Sequence, residues 1–171
     1  FDVEGGQIAI EGQGLNAGNV DQFDLITRSA QINAELHAKK LNIITGRNEV
    51  NATTLAATAK ADDGSSKPML AIDSSALGGM YAGAIRLVGT EQGVGVKLAG
   101  DMAASAGDIQ IDANGKLSLN RVAASGDVAL KANSIDLNAD TYAGRNATIE
   151  AQQVDVRESL AAGQRLTVQA E

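Results

Sequence analysis

The chain has 171 residues, 44% of them apolar with alanine prominent, and a formal net charge of −7 at pH 7. Such a length suits one domain, globular or elongated, and such a charge opposes electrostatic attraction to nucleic acid or to an anionic membrane. Four aromatic residues (Phe1, Phe23, Tyr81, Tyr142) are too few for the stacking platforms that hold single-stranded nucleic acid or many sugars, and the lack of cysteine excludes disulfides and thiolate metal sites.

No apolar run approaches the roughly 20 residues of a membrane-spanning helix. No signal-peptide pattern is visible and residue 1 is Phe1, so the sequence reads as a piece of something longer. Val3, Ile8 and Ile10 read as strand positions. QINAELHAKKLNI then alternates, with Ile32, Ala34, Leu36 and Ala38 on one face and Gln31, Asn33, Glu35, His37 and Lys39 on the other. A helix over residues 30–41 competes, because Ala, Glu, Leu and Lys are good helix formers and Ile32 and Leu36 are four apart; the pattern favours strand. Residues 51–69, NATTLAATAKADDGSSKPM, break the alternation with an Ala/Thr run, an Asp-Gly turn signal and the only proline, Pro68. They predict an extra hairpin or long loop projecting from the body.

Residues 78–96, GGMYAGAIRLVGTEQGVGV, contain six glycines around a short apolar strand from Ala84 to Val88 and a second near Val94 and Val96. The final third carries a repeat of nineteen residues. Ile111, Leu130, Ile149 and Val168 keep that step, as do Ile109, Val128, Ala147 and Leu166, and Ala113, Ala132, Ala151 and Ala170. Each repeat opens on a strand of period two, as in IQIDA and LTVQA. A second apolar pair follows in the first three (Leu117 and Leu119, Ile135 and Leu137, Val154 and Val156), then a small-residue turn with Gly107, Gly126, Gly144 or Gly163.

Two or three short strands per nineteen residues, with no helix between, predict an all-β fold: a parallel β-helix whose equivalent strands lie about 4.8 Å apart. Residues nineteen apart then stack on the surface. Asp112, Lys131 and Glu150 alternate in sign, which favours this. Asp108 above Asp127 runs against it, with Asn146 and Arg165 continuing that row without another acid. Ordering one coil costs at least what its burial returns, so each coil depends on its neighbours and the end coils need a cap, a continuing helix or a partner.

The chemical motifs are thin. Gly93-Val94-Gly95 lacks the third glycine of a dinucleotide fingerprint, since Leu98 stands there, and no phosphate-loop pattern occurs. His37 is the only histidine, which rules out multi-histidine metal sites and reads as a surface residue. Gly107-Asp108 and Gly126-Asp127 lack the nonapeptide spacing of calcium-binding β-rolls. Asp108, Asp112 and Asp127 are the acids a polysaccharide-active β-helix enzyme would use, yet no Arg or Lys is evidently placed beside them and a solvated face accounts for them better. The sequons at Asn51 and Asn146 are short enough to arise by chance. The reading is of a protein that is not an enzyme, with no catalytic, cofactor-binding or metal-ligating residue and no cofactor.

FDLITRSAQINAELHAKKLNIITGRNEV (23–50) and ALGGMYAGAIRLVGTEQGVGVKLAG (76–100) resemble the two-partner secretion exoproteins, the family of filamentous haemagglutinin and contact-dependent growth inhibition toxins. The resemblance implies a right-handed parallel β-helix with extra-helical hairpins. It implies that residues 1–100 are the later part of the N-terminal secretion domain and that residues 101–171 are the first haemagglutinin-type repeats. It also implies secretion to the bacterial cell surface by way of the periplasm, with the periplasmic domains of a dedicated outer-membrane transporter as partner. The segment would form the base of an adhesive or toxin-delivering filament. A segment that itself binds a target-cell receptor is the alternative, and neither nucleic acid nor membrane insertion is expected. The family's Asn-Pro signatures do not occur, so no transporter-contact residue is carried over to this chain.

Overall fold

The computed structural model describes residues 1–171 as strands and turns, with no helix. Strand β1 (Asp2–Val3) lies outside the main wall. The first coil is β2 (Gln7–Ile10), β3 (Leu15–Ala17) and β4 (Phe23–Thr27), and the second is β5 (Ser29–Ile32) and the long β6 (Leu36–Thr45). There the chain leaves the wall for β7 (Asn48–Val50) and β8 (Ala57–Ala59), returning as β9 (Leu70–Ser74) and the long β10 (Met80–Gly89).

Four more regular coils follow. They are β11 (Gly95–Leu98), β12 (Met102–Ala104) and β13 (Ile109–Ala113); β14 (Lys116–Leu119), β15 (Val122–Ala124) and β16 (Val128–Lys131); β17 (Ser134–Leu137), β18 (Thr141–Ala143) and β19 (Asn146–Ala151); and β20 (Gln153–Val156), β21 (Leu160–Ala162) and β22 (Arg165–Ala170). Seven strands form one parallel sheet, and twelve form a second in which β6 and β10 each span two lanes that later coils split between separate strands. This is a parallel β-solenoid, the architecture expected from the repeat.

The register is the predicted one. Ile109 pairs with Val128, Ile111 with Leu130 and then Ile149, and Ile149 with Val168. Rows such as Val96, Leu117, Ile135 and Val154 stack along the axis, and 33 buried residues form one continuous core. Parallel pairing at this spacing puts like side chains against like, so a wall of Ile, Leu and Val fills the interior without large aromatics.

Local detail departs from the sequence reading in four places. QINAELHAKKLNI is extended, but its strand is broken: β5 ends at Ile32 and β6 starts at Leu36 in a different sheet. The small-residue "turn" of each repeat contains a third strand, seen in β15, β18 and β21, whose Ala-rich triplets hide it from a hydrophobicity pattern. Val3 is a strand residue, but in an antiparallel strand outside the solenoid. The 51–69 excursion begins earlier, at Asn48, and its hairpin does not project; it lies flat on the wall.

That last difference has a simple cause. Outward positions Ile26, Ile44 and Val88 form one row by register and would leave an apolar strip in water. Val50, Leu55 and Ala57 of the hairpin cover it, making a second small core. One coil later the same row becomes Asp112, Lys131 and Glu150, where no hairpin covers it.

Candidate functional site

Three places carry a question from sequence. The glycine-rich stretch is wall: β10, a turn in which Gly93 has φ +79°, then β11, with no helix following. Gly83 sits inside β10, where the Lys39 carbonyl of the neighbouring coil leaves no room for a Cβ atom. His37 lies on the outer face, its ring stacked on Tyr81 at 5.2 Å and its Nε2 3.0 Å from the Glu35 carboxylate.

The aspartates do not converge as a trio. Asp108 immediately precedes β13 and Asp112 lies near its far end, about 13 Å away at strand rise. Asp112 belongs to the alternating row, in which Lys131 meets Glu150 at 3.4 Å. Asp108 and Asp127 do stack, and they work as turn acceptors: the Asp127 N–H donates to Asp108 Oδ1 at 2.7 Å, and the Asn146 N–H donates to Asp127 Oδ1 at 3.0 Å. The sequence reading found no cation beside them. The structure supplies one, because Arg145 lies 3.7 Å from Asp108 and 3.5 Å from Asp127. Arg145 escapes a nineteen-residue search because it sits one position before the row's own Asn146.

The most elaborate polar arrangement surrounds the extra-helical sheet, ordered β1-β7-β8 and antiparallel throughout. Thr45-Gly46-Arg47-Asn48 carries the chain off the wall. Gly46 takes φ +113°, which only glycine adopts without strain. The side chain of fully buried Asn48 donates to the Thr45 carbonyl at 2.9 Å and accepts from the Thr90 hydroxyl, fixing the base of the hairpin to β6 and to the corner after β10. Arg47 then donates to the Ala61 carbonyl at 3.0 Å and pairs with Glu4 at 2.6 Å and Asp63 at 3.0 Å. Lys60 pairs with Asp2 and Glu4, and Lys67 with Asp62 at 3.0 Å. Beneath them the Arg28 guanidinium holds the Glu91 carboxylate with two bonds of 2.8 and 3.2 Å.

All six titratable groups that depart from their ordinary range sit in this cluster. Hydrogen bonds from Lys60 and then Arg47 hold the Glu4 carboxyl below its usual value. The Gly64 N–H and then Lys67 lower Asp62, and Ser65 lowers Asp63. Arg28, Arg47 and Lys60 are pushed up, by Glu91, Glu4 and Asp2 respectively. The cluster frames a pocket of about 300 Å³ lined by Arg47, Lys60, Asp62, Lys67 and Glu91 among others. Sequence reasoning named none of these side chains. The signal available was Arg47 and Asn48 shortly after Leu41-Asn42-Ile43-Ile44 and the Thr45-Gly46 step, where charge and amide mark the exit from a wall.

The profile of the TPS secretion domain matches residues 1–119, the part of the solenoid that carries this extra-helical sheet. The chain belongs to the two-partner secretion family. Toxin CdiA of Yersinia pestis is 53% identical over 117 residues, and tRNA nuclease CdiA-2 of Burkholderia pseudomallei (strain 1026b) is 52% identical over 120 residues. These alignments cover 68% and 70% of this chain but 4% of each relative, so the chain spans a small fraction of their length. The crystal structure of a filamentous hemagglutinin secretion domain superimposes with a TM-score of 0.63 at 22% identity, covering 97% of this chain and 50% of that one, and so shares the fold. As a secretion-domain segment, the chain is secreted to the cell surface through the periplasm.

Proposed function

We propose that residues 1–100, with the extra-helical sheet, serve recognition and export by the periplasmic domains of a dedicated outer-membrane transporter, and that residues 101–171 begin the filament. On this reading the segment catalyses no reaction; an adhesive region or a toxin domain lies elsewhere in the full-length protein, as the toxin names of the CdiA relatives suggest. The observation that carries the export reading is the match of residues 1–119 to the secretion domain, which extends past the proposed boundary at residue 100, on a solenoid whose contacts run between successive coils. Such contacts let each coil template the next, so folding outside the membrane draws the chain outward.

The test places a charge in the stack. Leu130 is buried between Ile111 and Ile149, and Leu130→Asp is expected to reduce surface yield and protease resistance together when the chain is expressed with its transporter. Unchanged yield would sink the export mechanism. Transporter recognition is read separately, by capture of the chain on the isolated periplasmic domains; a chain lacking residues 46–69 that is captured as well as the parent would remove the extra-helical sheet from that role.

A further inference from the structure

The hairpin strand β8 ends its sheet, and its free edge opens onto a groove. Asn48 faces Ala59 and Val50 faces Ala57 as non-hydrogen-bonded pairs, because the flanking bonds run from the Lys60 N–H to the Arg47 carbonyl at 2.9 Å and from the Asn51 N–H to the Ala56 carbonyl at 3.0 Å. Ala57 and Ala59 therefore turn their own N–H and C=O groups away from β7, and nothing in the chain pairs with them. Both residues line a cavity of about 350 Å³ whose opposite wall is the outer face of the solenoid at Arg86, Val88, Gln110, Asp112 and Asn114. Arg86 and Gln110 also line a second cavity, of about 300 Å³, that reaches Lys40 and Asp108 beneath the hairpin tip.

The groove carries two cations, Arg86 and Lys40, and two carboxylates, Asp108 and Asp112. Most cations of this acidic chain meet a carboxylate within 4 Å; Arg86 and Lys40 do not, and outside the groove neither do Lys97, Arg121 and Arg165. Arg86 is half-buried, and its recorded hydrogen bond is a 3.3 Å donation to the Leu55 carbonyl, which leaves most of its donors unused.

We infer that this groove receives an extended peptide strand of a protein partner, added to the free edge of β8 and carrying an acidic side chain that pairs with Arg86. Main-chain bonds to Ala57 and Ala59 supply the docking, and the carboxylate sets the register. The three-residue edge is short, so only a strand that also engages Arg86 is held.

The test uses the 171-residue chain and capped, fluorescein-labelled peptides TVEVT and TVKVT. TVEVT is expected to bind saturably and to shift the amide signals of Ala57, Ala59 and Gln110, with TVKVT at least about tenfold weaker, the factor set by one charge-assisted bond. Arg86→Gln weakens TVEVT by a similar factor and leaves TVKVT unchanged. Ala59→Pro removes an edge N–H without touching the bonds to β7 and weakens TVEVT about fivefold or more. Equal binding of the two peptides, indifference to Ala59→Pro, or no saturable TVEVT binding up to about 1 mM overturns the proposal. A concentration-dependent dimer abolished by Ala59→Pro, with no TVEVT binding, also overturns it and assigns the edge to a second copy.

Discussion

Arg28 and Glu91 are 63 residues apart, yet they meet through two hydrogen bonds with 14% and 10% of their side chains exposed. Arg28 stands at the corner after β4 and Glu91 at the corner after β10, so the pair links coils on either side of the point where the hairpin leaves the wall. Removing one partner strands the other charge in a largely dry site. Glu91→Ala is expected to lower stability by about 3 kcal/mol in urea unfolding, whereas the double variant Arg28→Met/Glu91→Leu recovers most of the loss.

A buried hydroxyl gives the opposite sign. Thr141 lies in the inward row of Met80, Met102, Val122 and Leu160, 1% exposed, and its Oγ1 has no hydrogen-bond partner. Thr141→Val keeps the shape and removes an unsatisfied group. A gain of about 1 kcal/mol is expected, seen as a higher urea midpoint at unchanged slope.

Gly144 tests the close stacking of coils. Its φ is not in the left-handed region; the restriction is the Ser125 carbonyl of the coil below, which occupies the space a Cβ atom would need. Gly144→Ala is expected to cost about 2 kcal/mol or more, and Gly64→Ala at an open exposed turn with φ +75° about 1 kcal/mol, both read by thermal unfolding.

The extra-helical sheet should loosen in acid. Glu4, Asp62 and Asp63 have folded values below their ordinary ones, so their contribution is complete above the unfolded range near pH 4 and is lost as pH falls through the lower folded values. The amide signals of β1 and β7 are therefore expected to broaden or shift between about pH 4 and pH 2 before those of β13 and β16 change, in an NMR titration. Simultaneous loss everywhere would show that these carboxylates do not hold the sheet.

The solenoid was legible because its physics repeats. The step from Ile111 to Leu130 to Ile149 is both a sequence period and a strand register, so one-dimensional self-similarity translates directly into neighbours. The candidate contact face was not legible for the converse reason. Arg47 with Glu4, Arg28 with Glu91 and Asn48 with Thr90 join residues separated by 42 or more positions at no repeating interval, and each occurs once. The hairpin was foreseen only as an interruption; that it lies flat follows from Ile26, Ile44 and Val88, whose common outward row exists only after β4, β6 and β10 are placed side by side.

By itself the sequence determined the wall: an all-β parallel stack, its inward rows, the alternating Asp112, Lys131 and Glu150 surface and membership of a secreted family. Those depend on alternation within a strand and on period between coils, which are local quantities. Only the tertiary structure decided where the interrupting segment goes, that Arg145 lies beside Asp108 and Asp127, and that the edge of β8 opens beside an unpaired Arg86. These depend on which coil lies over which, and an insertion shifts that relation by an amount no period encodes.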